Sequence, residues 1–186
     1  MSIRSRIKSS ELRGALRTGH LVRFTRRFEA TRISGYVLDV GREFFLLAPV
    51  GDQIRFNGLQ AMRIRDLRGL QDDPFAAFVQ AALKMRRERR PRKRKLSVRT
   101  LPDLLQAAAK AFPLITIHRE EVAPAICQIG HLLGVSKGRL RMLEIGPGAV
   151  WDKVPTEYAL KQVTRVDFGG GYEEALSLVG GRSPTG

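Results

Sequence analysis

Eight cations stand within eleven residues in "MRRERRPRKRK" (85–95), against Glu88 as the single acid of that stretch. The chemistry such side chains do is anion pairing, because the planar fork of a guanidinium matches two phosphate oxygens at once. No aromatic residue interleaves the cations between 84 and 99, so stacking on bases is not indicated. Contact would run along a phosphate backbone and carry little sequence information. The candidate phosphate ligands are Arg86, Arg87, Arg89, Arg90, Arg92, Lys93, Arg94 and Lys95, helped by Arg23, Arg26 and Arg27 if an early strand lies alongside. The competing reading is a solvated tether. Against it, like charges this dense repel one another and no acidic run elsewhere matches them, whereas a polyanion would compensate them and release counterions.

Other reactive residue types carry less. His20, His118 and His131 are scattered, without the spacing or the cysteine partners of a metal site. The loop "GPGAVW" reads as a hairpin turn rather than a phosphate cradle. In "GGGYEEAL" glycines precede a helix, but Glu173 and Glu174 in its first turn would satisfy the helix dipole themselves and repel phosphate. Glu120/Glu121 and Asp72/Asp73 are adjacent pairs, not carboxylates facing across a cleft, so general acid–base work is unsupported. Trp151 reads as a residue that packs its loop, and lone Cys127 as a small buried apolar residue rather than a nucleophile. The expectation is a protein without catalytic residues, metal or cofactor.

The frame around these residues is that of a folded protein. With 186 residues, 43% hydrophobic and 27% charged, the chain has the composition of one ordinary domain or two small ones. The net charge of +15 is concentrated. Residues 1–27 carry +7 and residues 84–99 carry +9, while 28–83 sum to −1 and 100–186 to 0. That asymmetry points to a polyanionic partner. A single cysteine fits a reducing compartment. No signal-like core and no apolar run near the roughly 20 residues of a membrane span are present, so the expected location is the cytoplasm, with no membrane partner.

The positioning elements repeat. "LRGALRTGHLVRFTRRF" (12–28) lies over "LQAAAKAFPLITIHREE" (105–121), and "GYVLDVGREFFLLAPVG" (35–51) over "GHLLGVSKGRLRMLEIG" (130–146). A third block sets "LQAMRIRDL" (59–67) over "LKQVTRVDF" (160–168). Each copy opens with a short helix, the first closing on Gly19, the second starting near Thr100 with Pro102 in its first turn. Alternating strands follow, "LVRFTRRF" and "LITIHRE", then strands with an early glycine, "RISGYVLDV" and "CQIGHLLGV". One helix and about five short strands per copy indicate a small barrel. After the first copy, "DDPFAAFVQAALKMRRERRP" predicts a helix capped at Asp73, striped by Phe75, Phe78, Val79 and Ala82, and ended by Pro91. The expected organisation is mainly β: a helix and five-stranded barrel over 9–71, a helix and basic linker over 72–100, and a second helix and barrel over 101–180.

A helix followed by a bent five-stranded barrel with an early glycine in its second strand resembles the Sm-like fold of the Sm, LSm and Hfq-type RNA-binding proteins. The second copy also resembles a set of bacterial proteins without an assigned function. The resemblance implies two tandem SH3-like small barrels in a bacterial cytoplasmic protein, with RNA as the nucleic acid. It does not extend to the base pocket. The family's Asp and Asn positions after the strand glycine hold Gly41 and Phe45 in the first copy, Ser136 and Leu140 in the second. The I-R-G element is echoed only by "IRF" (54–56), and the lysine–histidine pair of the Hfq-type pocket is missing. The functional expectation is therefore a non-enzymatic protein that contacts nucleic acid through its basic linker, with low sequence specificity. The alternative is a protein–protein adaptor. Unpaired barrel edges also make homo-oligomers an expectation.

Overall fold

A computed structural model describes residues 7–93 and 95–185. Helix α1 (Ser9–Thr18) opens where the Glu11 carboxylate accepts from the Lys8 backbone N–H at 2.6 Å, and it buries Leu12. It ends on Gly19, whose left-handed φ of 64° turns the chain into β1 (Val22–Arg26). Then come β2 (Glu29–Val40), β3 (Phe44–Val50), β4 (Leu59–Arg63), a 3-10 turn (Ile64–Asp66) and β5 (Leu67–Asp72). Helix α2 (Ala76–Met85) and the basic segment lead to the second half. There α3 (Leu101–Ala111) precedes β6 (Ile115–His118), β7 (Cys127–Ser136), β8 (Arg139–Glu144), β9 (Thr156–Ala159), a 3-10 turn (Leu160–Gln162), β10 (Arg165–Phe168) and α4 (Gly171–Gly180).

All ten strands form one antiparallel sheet in the order β5-β1-β2-β3-β4-β10-β6-β7-β8-β9. The mainly β expectation holds. Two separately closed five-stranded barrels are not what the ladders form: β4 pairs with β10 of the other half rather than with its own β5. The sheet stays open at β5 and β9. Register nonetheless displays the repeat. Val22 lies opposite Gly35 as Ile115 lies opposite Gly130, and both second strands bulge at the same place, Val37/Asp39 and Leu132/Gly134. The early glycines have a steric cause. A Cβ on Gly35 would stand 2.6 Å from Ala48 O, and one on Gly130 2.2 Å from Leu143 O.

The third sequence block is out of register. Structurally the two 3-10 turns correspond, so Ile64, not Leu59, matches Leu160, and β4 matches β9. Strand-then-turn and turn-then-strand both place apolar residues at the same spacing, which is why the wrong superposition looks sound. Helix α2 also differs. It starts at Ala76 after a turn in which Asp73 Oδ1 accepts from Phe75 N at 2.8 Å, and it stops at Met85, well before Pro91. It buries Leu83 and packs Ala76 and Val79 inward, which leaves Phe75 and Phe78 outside.

The halves share a core. Strand β3 is buried on both faces: Phe44, Leu46 and Ala48 enter a cluster that also holds Leu104, Leu105, Ile117, Val166 and Phe168 of the second half. Phe45 and Leu47 enter a smaller cluster with Leu12, Phe24 and Leu67. Trp151 donates to Gly180 O at 2.9 Å and packs its loop against Leu114, Ile145 and Leu176. Among the described residues no helix is long and apolar enough to cross a membrane.

Candidate nucleic-acid interface

The basic segment is docked rather than free. After α2, Arg87 adopts a left-handed φ of 56° and the chain turns back over the first half. Arg86 donates to Gln53 O and Ile54 O, and Glu88 pairs with Arg55 at 2.9 Å. The Arg90 guanidinium stands 3.5 Å over the Tyr36 ring of β2, and Lys93 Nζ lies 2.6 Å from Asp39 Oδ2. Leu96 and Val98 then bury their side chains. Four cations of the run, Arg87, Arg89, Arg92 and Lys95, are exposed and have no acidic partner among the described residues. Arg94 lies outside the described residues.

Arg26 and Arg27 are not brought alongside, whereas Arg23 pairs in register with Ser34, two residues from Tyr36 on β2. Arg26 pairs in register with Glu29, at the far end of β2 from Tyr36 and Asp39. Its buried side chain grips Glu120 of the second half through two hydrogen bonds, at 2.8 and 2.6 Å. Arg27 reaches Glu121 at 3.5 Å, and Arg23 is half-buried. Arg26 is therefore a junction residue, out of reach of phosphate.

That junction collects several acids of the folded body. Glu121 also takes Arg63 at 2.8 Å and Arg65 at 3.4 Å, and Arg63 binds Asp66 at 2.6 Å. Asp167 holds Arg165 at 2.6 Å and His118 at 3.2 Å. Burial alone would raise the Glu120 carboxyl, but hydrogen bonds from Arg26 and Thr164 outweigh it and hold the group below the ordinary carboxylate range. Asp167 is likewise held down, burial being outweighed by the His118 hydrogen bond and the Arg165 charge. The Arg63 hydrogen bond is the main cause that lowers Glu121. These carboxylates are fixed anions of ion pairs, a poor state for proton transfer.

The surface beside the junction is rich in cations. A groove of about 740 Å³ between the halves is lined by Arg42, Glu43, Arg65, Arg99 and Lys161, and α3 begins at its wall with Thr100 Oγ1 accepting from Asp103 N at 3.2 Å. An adjoining hollow adds Arg13 and shares Arg42 and Arg99. Arg13, Arg42 and Lys161 are exposed without an acidic partner among the described residues. The docked segment builds one side of this groove with Val98 and Arg99. The groove joins Arg13 and Arg99 of the two basic segments to Arg42 and Lys161 of segments that sum to nearly zero.

The remaining candidates are placed simply. Cys127 is exposed on β7, not buried as its type suggests; partial burial of the sulfur and the nearby Asp167 charge push its thiol up, which disfavours the thiolate. "GPGAVW" is a turn closed by Gly146 N to Val150 O at 2.9 Å. His20 lies 3.7 Å from Asp72, and His131 Nδ1 3.2 Å from Pro113 O. Among the described residues no three His, Cys, Asp or Glu side chains gather as a metal site would need. No family model matches the chain, and no curated protein or solved structure matches it either.

Proposed function

We propose that the protein binds nucleic acid along the phosphate backbone and is not an enzyme. The observation that carries this reading is a set of exposed cations without acidic partners, Arg87, Arg89, Arg92 and Lys95 on the docked segment and Arg13, Arg42 and Lys161 in the groove that it borders. Docking strengthens the case. A tether has no reason to be pinned by Tyr36 and Asp39, whereas a rigid row of guanidinium groups loses less entropy on meeting phosphate. RNA is the substrate class that the Sm-like resemblance implies. Each half supports that resemblance with one helix, five strands in the same order and the early glycine of its second strand. The reading implies a bacterial cytoplasmic protein that discriminates poorly between sequences.

Binding should fall with salt. If about six phosphates are neutralised, log affinity declines against log salt with a slope near −5 on duplex, at about −0.9 per contact. Replacing Arg87, Arg89, Arg92 and Lys95 together by Gln should flatten that slope by about 3 to 4 and weaken all sequences alike. Fluorescence anisotropy over a salt series measures both. An unchanged slope and affinity in that variant, with the protein still folded, would overturn the proposal.

A further inference from the structure

Helix α2 is apolar on two flanks, and the fold covers one of them. Ala76, Val79 and Leu83 pack against the core. Phe75, Phe78, Ala82 and Met85 recur at spacings of three, four and three residues, which sets them within an arc of about 80° on the neighbouring flank. Phe75 is 62% exposed, Phe78 63% and Met85 86%, with the small Ala82 half-buried among them. Large apolar side chains left uncovered in one row mark a contact surface. The fold itself does not require the row. The corresponding helix of the second half is α4. Whether the two helices are matched by their first residues or by the strand register, Phe75 and Met85 fall on glycines and Phe78 falls on Glu173 or Glu174.

Spacing and charge together say what the row takes. Apolar positions repeating at three and four residues form the seam on which another helix sets its own side chains. The small Ala82 leaves room for one of them between Phe78 and Met85. At the end of α2 the chain passes through docked Arg86 into Arg87 and Arg89, which are exposed and have no acidic partner among the described residues. Carboxylates suit these two arginines. In the first turn of a helix they also suit that helix's own dipole, which sets the partner antiparallel to α2. We infer that the exposed flank of α2 docks an amphipathic helix of a partner protein, its apolar stripe on Phe75, Phe78 and Met85 and its acids beside Arg87 and Arg89.

A lipid surface fits the row less well. Helices that lie on anionic membranes are rich in Lys and Arg along their polar face, whereas α2 carries Lys84 alone. On the nucleic-acid reading above, Arg87 and Arg89 also meet phosphate, so the helical partner and the polyanion exclude each other there. The apolar row takes no part in phosphate contact, and docking is measured without nucleic acid. The two readings can therefore fail separately.

The probe is a synthetic peptide of about two heptads, with leucine at the a and d positions and glutamate in its first turn. A scrambled peptide of the same composition is its control. Fluorescence anisotropy of each labelled peptide against the nuclease-treated full chain should show saturable binding of the first alone. Phe75→Ser combined with Phe78→Ser, both at exposed positions, should weaken that binding roughly tenfold or more, as the loss of two aromatic anchors does. The circular dichroism spectrum and the nucleic-acid affinity of this variant should not change. Arg87→Gln with Arg89→Gln should weaken the peptide less and remove most of its salt dependence. No binding of the first peptide, equal binding of the scrambled one, or an affinity that the phenylalanine variant leaves unmoved overturns the inference. Two other results overturn it as well, by giving the row to a lipid surface or a second copy. They are binding to phosphatidylglycerol vesicles, or a mass above the 20.8 kDa monomer in light scattering, either one lost with the two phenylalanines while the peptide stays unbound.

Discussion

Glu120→Ala is expected to cost about 3 to 5 kcal/mol of folding stability, the range for removing one partner of a buried ion pair. The Arg26 side chain has no solvent exposure, and Glu120 supplies both of its short hydrogen bonds. Without Glu120 the guanidinium is left with Glu29 at 3.8 Å, too far to replace two direct bonds. Thr164 loses its 2.6 Å acceptor as well. Chemical denaturation at constant m-value reads the loss directly. The double replacement Arg26→Met with Glu120→Leu should recover much of it, because an apolar pair leaves no orphaned charge. A single-variant cost within about 0.5 kcal/mol, the size of an ordinary surface substitution, would mean that the pair does not hold the halves together.

The same junction sets the response to acid. Glu120, Glu121 and Asp167 have folded-state pKa values below their ordinary ones. The unfolded chain therefore takes up protons first as pH falls. Their contribution is complete above the ordinary carboxylate range of about 4 and drains away as pH drops through the lowered values. Thermal unfolding followed from pH 7 downward should show a Tm that is flat to about pH 5 and falls below it. In Glu120→Gln that acid slope should be shallower, since one of the linked groups is gone.

What the sequence made legible was local. The glycines Gly35 and Gly130 and the Thr100–Pro102 helix start each constrain their own few residues and are found where expected. The first strands are in place too, but Thr25, Arg26 and Thr116 are buried, so both of their faces are covered rather than one. Edge pairing was not legible. Alternation tells which face of β4 is buried, but nothing local tells whether its free edge closes on β5 or meets β10. The cations of 85–95 were visible as a run, while their docking depends on Tyr36 and Asp39, some fifty residues away in the chain. One signal did exist: Leu96 and Val98 alternate like a strand directly after the charges. The groove stayed hidden because only folding joins Arg13 and Arg99 of the two basic segments to Arg42 and Lys161.

Gly41→Ala should undock the basic segment. A Cβ at Gly41 would stand 1.9 Å from Val98 O and 2.8 Å from Val98 C, both backbone atoms that no rotamer change can move. Gly41 cannot yield, because its N–H is held by Phe44 O at 2.8 Å in the turn between β2 and β3. The segment must therefore shift, and with it buried Leu96 and Val98 and the Lys93–Asp39 pair. Overpacking of this kind costs about 1 to 3 kcal/mol, concentrated here on one strap rather than spread over the sheet. Trypsin cleavage after Arg89, Arg92 or Lys95 reports the open population directly when closing is fast. About 2 kcal/mol would raise that population roughly 30-fold, at 1.4 kcal/mol per factor of ten. If docking also preorganises the cations, nucleic-acid affinity should fall in this variant while the salt slope keeps its wild-type value, since no charge is removed. Slope and affinity would fall together only if the contacts themselves were lost. An unchanged cleavage rate would show that the segment tolerates the extra methyl and is not held at Gly41.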